Sequence, residues 1–375
     1  MRNWFFVISL LWLSFVNANE LNQDIDYMLK NADSLRSKSP SELSAILGKV
    51  KERSSELSQS QTGYYLFLRG YEAGINGKFE QSSKLYIEAL NSPISTDLQV
   101  KTLASLINVL AVNRNAGQGF FYAQELLRIV NKASVKIRNE ALTTLAIFYN
   151  QINEYESAIT IASKVLVDSE NPRSLCYANL TLIEAKYNLN QITGSNYDIN
   201  RLVKECEEVE EFNPAGMLIN YQARILSDTG RVGEATALLE DSRELMERTG
   251  YPFLQAWYYA DLSEIYLVNN QREKALESAM KALELTSTSG FSNPRLKSLK
   301  SLSDYYELNG AYSKSLEYFK KYSVARMASL DETKARQLAI QQAKNDALEK
   351  ANQIKLLDKE NALLKTQAVL NRKEL

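Results

Sequence analysis

The chain has 375 residues, 45% of them hydrophobic and 24% charged, which is typical of a folded protein rather than a disordered one. Lys and Arg number 44 against 45 Asp and Glu, so a net charge of −1 provides no broad basic surface for nucleic acid. There is no histidine and there are only two cysteines. These counts exclude a Ser-His-Asp triad, a Cys-His dyad and a four-cysteine metal cluster within this chain, and we expect no metal and no cofactor.

Residues 1–18 have the order of parts found in a secretory signal peptide. Arg2 supplies a positive charge, an apolar run occupies residues 5–16, and Ala18 ends a short segment where we expect cleavage. The apolar run is shorter than the roughly 20 residues of a membrane-spanning helix. An uncleaved N-terminal anchor is the alternative, so we expect membrane association only for an uncleaved segment or a longer chain. The sequence predicts export, most simply to a bacterial periplasm.

A pattern of small and aromatic residues recurs through residues 61–323, after a predicted helical pair at 19–60. The small position falls at Ala223, Ser263 and Ser303, with 40 residues between successive copies. Small residues let two helices approach closely, and a Gly or Asn between the helices tolerates the positive φ that ends the first one. Because each helical pair leaves an apolar face that the next pair covers, we expect the copies to stack. One copy in full contains Ser303, Tyr306, Gly310, Tyr312, Ser315, Phe319 and Tyr322.

This pattern resembles the tetratricopeptide repeat, with a spacing near 40 residues in place of the usual 34 and with three of its copies degenerate. The resemblance implies an all-α solenoid of helical hairpins, capped at its N-terminal end by residues 19–60. It also implies a partner-binding groove lined by the first helix of every hairpin. Counting from the small position assigns these residues to the groove: Tyr64, Phe67, Tyr71, Trp257, Glu264, Lys297, Lys300, Asp304 and Glu307.

Aromatic anchors beside charged residues suit an extended peptide or a segment of a protein partner. For Tyr64 and Trp257 the alternative of core packing between repeats stays open. The two cysteines, Cys176 and Cys206, lie on either side of a loop centred near Ile192. An antiparallel hairpin would bring them together in an oxidising compartment, so we consider a disulfide beside the alternative of two separately buried thiols.

Residues 324–375 contain no Pro and no Gly and predict one long helix. A seven-residue repeat of mainly apolar residues predicts a coiled coil, most simply with a second copy of the chain, and the alternative is a solvated amphipathic tail. The polar Asn361 lies where a residue of this kind sets the register. The predicted seam consists of Ile340, Ala347, Ile354, Leu357, Asn361 and Leu364.

A signal peptide, a repeat array and a Lys/Glu/Leu-rich coiled coil, in this order, resemble the periplasmic half of membrane-anchored bacterial diguanylate cyclases. That resemblance implies a sensory role, while the GGDEF motif of the cyclase domain is missing from these residues. We expect an exported, non-enzymatic module that binds a protein or peptide and dimerises through its C-terminal helix. The alternatives are the sensory half of a truncated transmembrane diguanylate cyclase and, more remotely, a carboxylate-dependent periplasmic hydrolase.

Overall fold

A computed structural model describes residues 24–36, 39–192, 197–287 and 292–373. The predicted signal peptide at residues 1–18 lies outside the described residues. Helices and short turns account for the described part of the chain, which contains no strand. The predicted all-helical fold of tetratricopeptide-like hairpins is confirmed.

The chain begins its described part with two helices, α1 at residues 24–35 and α2 at Pro40–Glu52. Seven hairpins follow, and each of their first helices has 17 residues. These first helices are α3 (Gln59–Ile75), α5 (Thr96–Val112), α7 (Val135–Gln151), α9 (Pro172–Asn188), α11 (Phe212–Asp228), α14 (Pro252–Val268) and α16 (Ser292–Leu308). The second helices are α4 (Phe79–Leu90), α6 (Ala116–Ile129), α8 (Tyr155–Asp168), α10 (Ile199–Glu208), α12 (Val232–Asp241), α15 (Arg272–Leu285) and α17 (Tyr312–Lys373). A short extra helix, α13 (Arg243–Arg248), follows α12.

A residue with positive φ ends the first helix of every hairpin. The predicted Gly or Asn has this conformation in five hairpins, at Gly77, Asn153, Gly230, Asn270 and Gly310. In the other two, Arg114 and Asn190 adopt φ of 59° and 55°. A backbone in this region costs a non-glycine residue of the size of arginine roughly 1–2 kcal/mol, so the fold imposes the turn even where the sequence lacks the glycine.

The helices of one hairpin pack closely, and within each compact unit one hairpin is covered by the next. A Cβ atom added to Gly70 would lie 2.8 Å from the ring of Tyr86, which shows why the small residue is required there. In the first six hairpins, the eighth residue of the second helix is at most 1% exposed. These residues are Tyr86, Ala123, Ala162, Cys206, Leu239 and Ala279. The equivalent residue of α17, Phe319, is 49% exposed, because no further hairpin follows it in the described part of the chain.

The chain divides into two compact units. Unit 1 is Met1–Ala141 with Leu338–Leu375, and unit 2 is Leu142–Gln337, so helices α7 and α17 each pass from one unit to the other. In unit 1, helices α1 and α2 contribute Ile25, Leu29 and Leu43 to the core that contains Phe67. These two helices lie inside the segment predicted at 19–60 and bury their apolar side chains against the first hairpin.

Helix α17 differs from the sequence prediction in two ways. It is one continuous helix of 62 residues, so no break separates the last hairpin from the C-terminal helix at the predicted boundary of 323 and 324. The seam residue Ile340 is not free for a second chain, because its side chain is only 4% exposed. Its neighbour Ala339 packs against α6, with its Cβ atom 3.3 Å from where a Cβ atom would stand on Gly117.

Beyond this contact the seam faces solvent. Ile354, Leu357 and Leu364 are 51–60% exposed, and Asn361 is exposed as well. The side chain of Ala347 lies outside the described ones. No helix in the described ranges is both long enough and apolar enough to span a membrane.

Candidate functional site

The first helices of unit 2 form a continuous layer. Helix α11 contacts both α9 and α14, and α14 contacts α16. Helix positions six, nine, ten, thirteen and sixteen lie on one side of an α-helix, so these residues of neighbouring first helices share a surface. We call this surface the first-helix face; it includes Asn150, Glu184, Asn220, Arg224, Trp257, Asp261, Glu264, Lys297, Lys300 and Asp304.

Asp261 lies at the centre of a charged network across three of these helices. Its side chain is 1% exposed. One carboxylate oxygen accepts a hydrogen bond from Nε of Arg224 at 2.9 Å, and the other accepts one from Nζ of Lys297 at 3.0 Å. Lys297 also forms an ion pair with Glu264. Helices α11, α14 and α16 are therefore joined by alternating charges.

The charges of this network hold each other ionised. Burial by itself would raise the pKa of Asp261, but Arg224 and Lys297 outweigh that effect and place the pKa below its usual value of 3.8. Burial likewise disfavours the charged form of Lys297, yet Asp261 dominates and the pKa of Lys297 is raised. All three groups are consequently charged at neutral pH.

Two aromatic rings flank the guanidinium of Arg224. Its central carbon lies 4.3 Å from the ring centroid of Trp257 and 4.9 Å from that of Tyr221. These distances fit cation–π contacts, which hold both the arginine and the half-buried Trp257 in place. The half-buried ring of Trp257 is thus supported by Arg224, and the ring of Phe253 makes an edge contact with it.

Glu184 on α9 is the next carboxylate along the face. The amide nitrogen of Asn150, at the end of α7, donates to Oε2 of Glu184 at 3.1 Å and to the carbonyl of Thr181 at 3.0 Å. Burial raises the pKa of Glu184, and the hydrogen bond from Tyr221 and the charge of Arg224 offset this only in part. Within the described ranges, no Lys or Arg forms an ion pair with Glu184.

Two amide side chains on this face carry unpaired polar atoms. Asn220 is 0% exposed, and neither its Oδ1 nor its Nδ2 has a hydrogen-bond partner in the described part of the chain. The Oδ1 atom of Asn150, a residue that is 5% exposed, is also unpaired there. Leaving a buried polar group unpaired costs roughly 1–3 kcal/mol, so such groups indicate a role outside stability.

In unit 1, side chains of the α1 segment contact the residues that the sequence assigned to a groove. Phe67 is 0% exposed, so its assignment to an open groove is wrong; it is a core residue. The guanidinium of Arg36 lies 5.0 Å from the ring centroids of both Phe67 and Tyr71, and the hydroxyl of Tyr64 donates to Asp33 at 2.8 Å. Both covering residues come from the α1 segment, whose packing position the repeat pattern did not indicate.

In unit 2, Trp257, Glu264 and Lys297 belong to the charged network described above. Lys300 and Asp304 pair with each other along α16, and Glu307 is exposed. The sequence reasoning missed Glu184, Asn150, Asn220, Arg224 and Asp261. The 40-residue period contained a signal for two of them, since stepping back from 264 leads to 224 and then to 184.

The structure joins Cys176 of α9 to Cys206 of α10 in a disulfide, with a Cα–Cα distance of 5.6 Å. Both side chains are buried, at 3% and 1% exposure. The bond closes the hairpin whose repeat pattern is most degenerate. Nowhere in the described residues do three or more His, Cys, Asp or Glu side chains meet in an arrangement that could hold a metal ion.

Comparison with known proteins identifies solved structures of similar fold. No protein-family model matches the chain, and no curated protein sequence matches it either. Among solved structures, a Rap protein complexed with Competence and Sporulation Factor matches with a TM-score of 0.60 at 10% identity, over 88% of this chain and 99% of the other. The apo form of the quorum sensor NprR from B. thuringiensis matches with a TM-score of 0.60 at 12% identity, over 80% and 86%.

NprR in complex with its cognate peptide NprX matches with a TM-score of 0.52 at 12% identity, over 90% of this chain and 89% of the other. At these identities the likeness concerns the fold alone. The chain therefore has the architecture of tetratricopeptide-like helical repeat proteins.

Proposed function

We propose that the first-helix face of unit 2 binds an extended segment of a peptide or protein. The observation that carries the proposal is Asn220, whose buried amide offers one unpaired donor and one unpaired acceptor. An extended main chain presents a C=O and an N–H group at every residue, which together match those two atoms. The supported ring of Trp257 is an aromatic anchor for a side chain of the same ligand.

The fold supports this proposal as well. Two proteins of similar architecture were solved as complexes, one of NprR with its cognate peptide and one of a Rap protein with Competence and Sporulation Factor. In each of those two proteins, an array of similar architecture holds a bound partner. No catalytic role is part of the proposal, because the central carboxylate, Asp261, is buried between two cations and unsuited to exchange a proton at neutral pH.

Tryptophan fluorescence tests peptide binding directly. The chain has three tryptophans, so the double change Trp4→Phe and Trp12→Phe leaves Trp257 as the single reporter. Titration with pools of acetylated, amidated octapeptides of varied sequence should shift or quench its emission in a saturable manner. A Trp257 signal that no pool changes would reject peptide binding at this face.

We further propose that the protein acts outside the cytoplasm, as an exported sensory or scaffolding module that pairs with a second copy through α17. The signal-like segment at 1–18 and the exposed seam around Leu357 and Leu364 support this context. The double change Leu357→Glu and Leu364→Glu should yield a monomer by light scattering with an unchanged helical content. A dimer that survives these changes would remove the seam from the proposal.

The same order of parts supports a second candidate, the sensory half of a transmembrane diguanylate cyclase. The coding sequence that follows residue 375 in the genome tests it. An in-frame apolar span followed by a GGDEF domain is the expected result for that candidate, and an unrelated reading frame rejects it.

A further inference from the structure

Charges on the first-helix face alternate from helix to helix. Along helices α16, α14, α11 and α9 the residues are Lys297, Asp261, Arg224 and Glu184, so basic and acidic side chains alternate. The next first helix, α7, contributes the neutral Asn150 at this place. The series therefore ends on a carboxylate that has no cation on its far side.

Arg224 forms its ion pair with Asp261, since its Nε and Nη2 atoms both lie within 2.9 Å of Oδ2 of Asp261. Its charge offsets the effect of burial on Glu184 only in part, and within the described residues no ion pair joins Arg224 to Glu184. The hydrogen bonds that Glu184 receives come from neutral groups, the amide of Asn150 and the hydroxyl of Tyr221. Glu184 is half-buried, so part of the residue remains exposed. A partly buried carboxylate with neutral donors only is stabilised strongly by an added cation.

A second, independent observation concerns Asn150, whose side chain contacts Glu184. The Oδ1 atom of Asn150 is buried and unpaired, and it belongs to the amide group whose nitrogen donates to Glu184. An unpaired acceptor thus lies next to a carboxylate whose hydrogen-bond donors are all neutral. A guanidinium carries five N–H donors in one plane and can serve both acceptors at once, whereas an ammonium is a single point charge.

We infer that Glu184 and Asn150 form a subsite for the guanidinium of an arginine side chain in the bound segment. The inference rests on the proposed function, since the arginine belongs to the peptide that lies along the first-helix face. In the complex, the guanidinium donates to the carboxylate of Glu184 and to Oδ1 of Asn150. It thereby adds the missing positive charge to the series Lys297, Asp261, Arg224 and Glu184.

Two matched peptide pools test the subsite. Both consist of acetylated, amidated octapeptides, identical except that one position holds arginine in the first pool and citrulline, its neutral analogue of the same shape, in the second. Charge-assisted hydrogen bonds should make the arginine pool bind about 10- to 100-fold more tightly. Glu184→Gln, which keeps the size of the side chain, should reduce the affinity for the arginine pool to that for the citrulline pool.

Glu273→Gln is the matched control, because Glu273 is an exposed carboxylate on the second helix α15. It should leave both affinities unchanged. Circular dichroism and thermal unfolding of each variant verify that the fold is intact. If the arginine and citrulline pools bind equally well, or if Glu184→Gln leaves their ratio unchanged, the arginine subsite is overturned while peptide binding stands.

If neither pool binds, peptide binding fails and a separate measurement decides the subsite. Thermal unfolding is then recorded with millimolar N-acetyl-arginine amide and with its citrulline counterpart. A rise in Tm that only the arginine compound causes, and that Glu184→Gln removes, retains a guanidinium site. The absence of such a rise overturns the inference together with the function on which it rests.

Discussion

Replacing Asn220 by Leu should stabilise the free protein and weaken its binding. The Asn220 side chain is 0% exposed and both of its polar atoms are unpaired. Removing them recovers about 1–3 kcal/mol of desolvation, and the better helix propensity of Leu adds about 0.5 kcal/mol. The larger side chain costs about 1 kcal/mol or more in repacking. The expected sum is a free energy of unfolding about 1 kcal/mol higher than that of the wild-type chain.

Urea denaturation followed by circular dichroism measures this change, and the Trp257 titration measures binding in the same samples. We expect the affinity for any peptide that binds the wild-type protein to fall at least about tenfold, because each lost main-chain hydrogen bond is worth about 1 kcal/mol. Asn108→Leu is a suitable control, since Asn108 is an exposed residue of the first helix α5. That change should alter the free energy of unfolding by no more than about 0.5 kcal/mol.

Two results would refute this reasoning. A marked loss of stability in Asn220→Leu would mean that the amide is paired in the free protein. Unchanged affinity would mean that the amide does not contact the ligand. Only greater stability together with weaker binding agrees with an amide that is kept for its partner.

The remaining predictions concern stability. Asp261→Asn leaves Arg224 without a counter-charge and Lys297 with Glu264 alone, and should lower the free energy of unfolding by about 3 kcal/mol at pH 7. Because the pKa of Asp261 is depressed in the folded state, the stabilisation that its charge gives the fold is present above pH 3.8 and is lost as the pH falls through the folded pKa. The denaturation curves of the wild type and of Asp261→Asn should therefore converge in acid. Gly70→Ala should destabilise by about 1–2 kcal/mol through overpacking, whereas Gly48→Ala, with nothing within 4 Å, should stabilise by up to about 1 kcal/mol in the same urea assay. The double change Cys176→Ala and Cys206→Ala opens a loop of 30 residues and should cost about 3–4 kcal/mol in thermal unfolding, while an equal Tm would show that the thiols are not bonded in solution.

The amino-acid sequence by itself determined the repeat architecture of this protein. The small residues at 223, 263 and 303 and the turn residues Gly230, Asn270 and Gly310 predicted where three hairpins turn, and the structure has its turns there. This succeeds because helix formation, helix ends and close helix contacts depend on residues near each other in the chain. Where the turn residue was Arg114, the local signal was weak and the copy looked degenerate.

Only the tertiary structure decided what each side chain meets. Arg36, about 30 residues upstream of Phe67, covers a residue that the repeat pattern alone had placed in an open groove. Likewise, the pairing of Arg224 with Asp261 rather than with Glu184 depends on the rotation and offset of neighbouring helices. A periodic pattern specifies which side of a helix is apolar, but it does not specify which distant segment lies against that side.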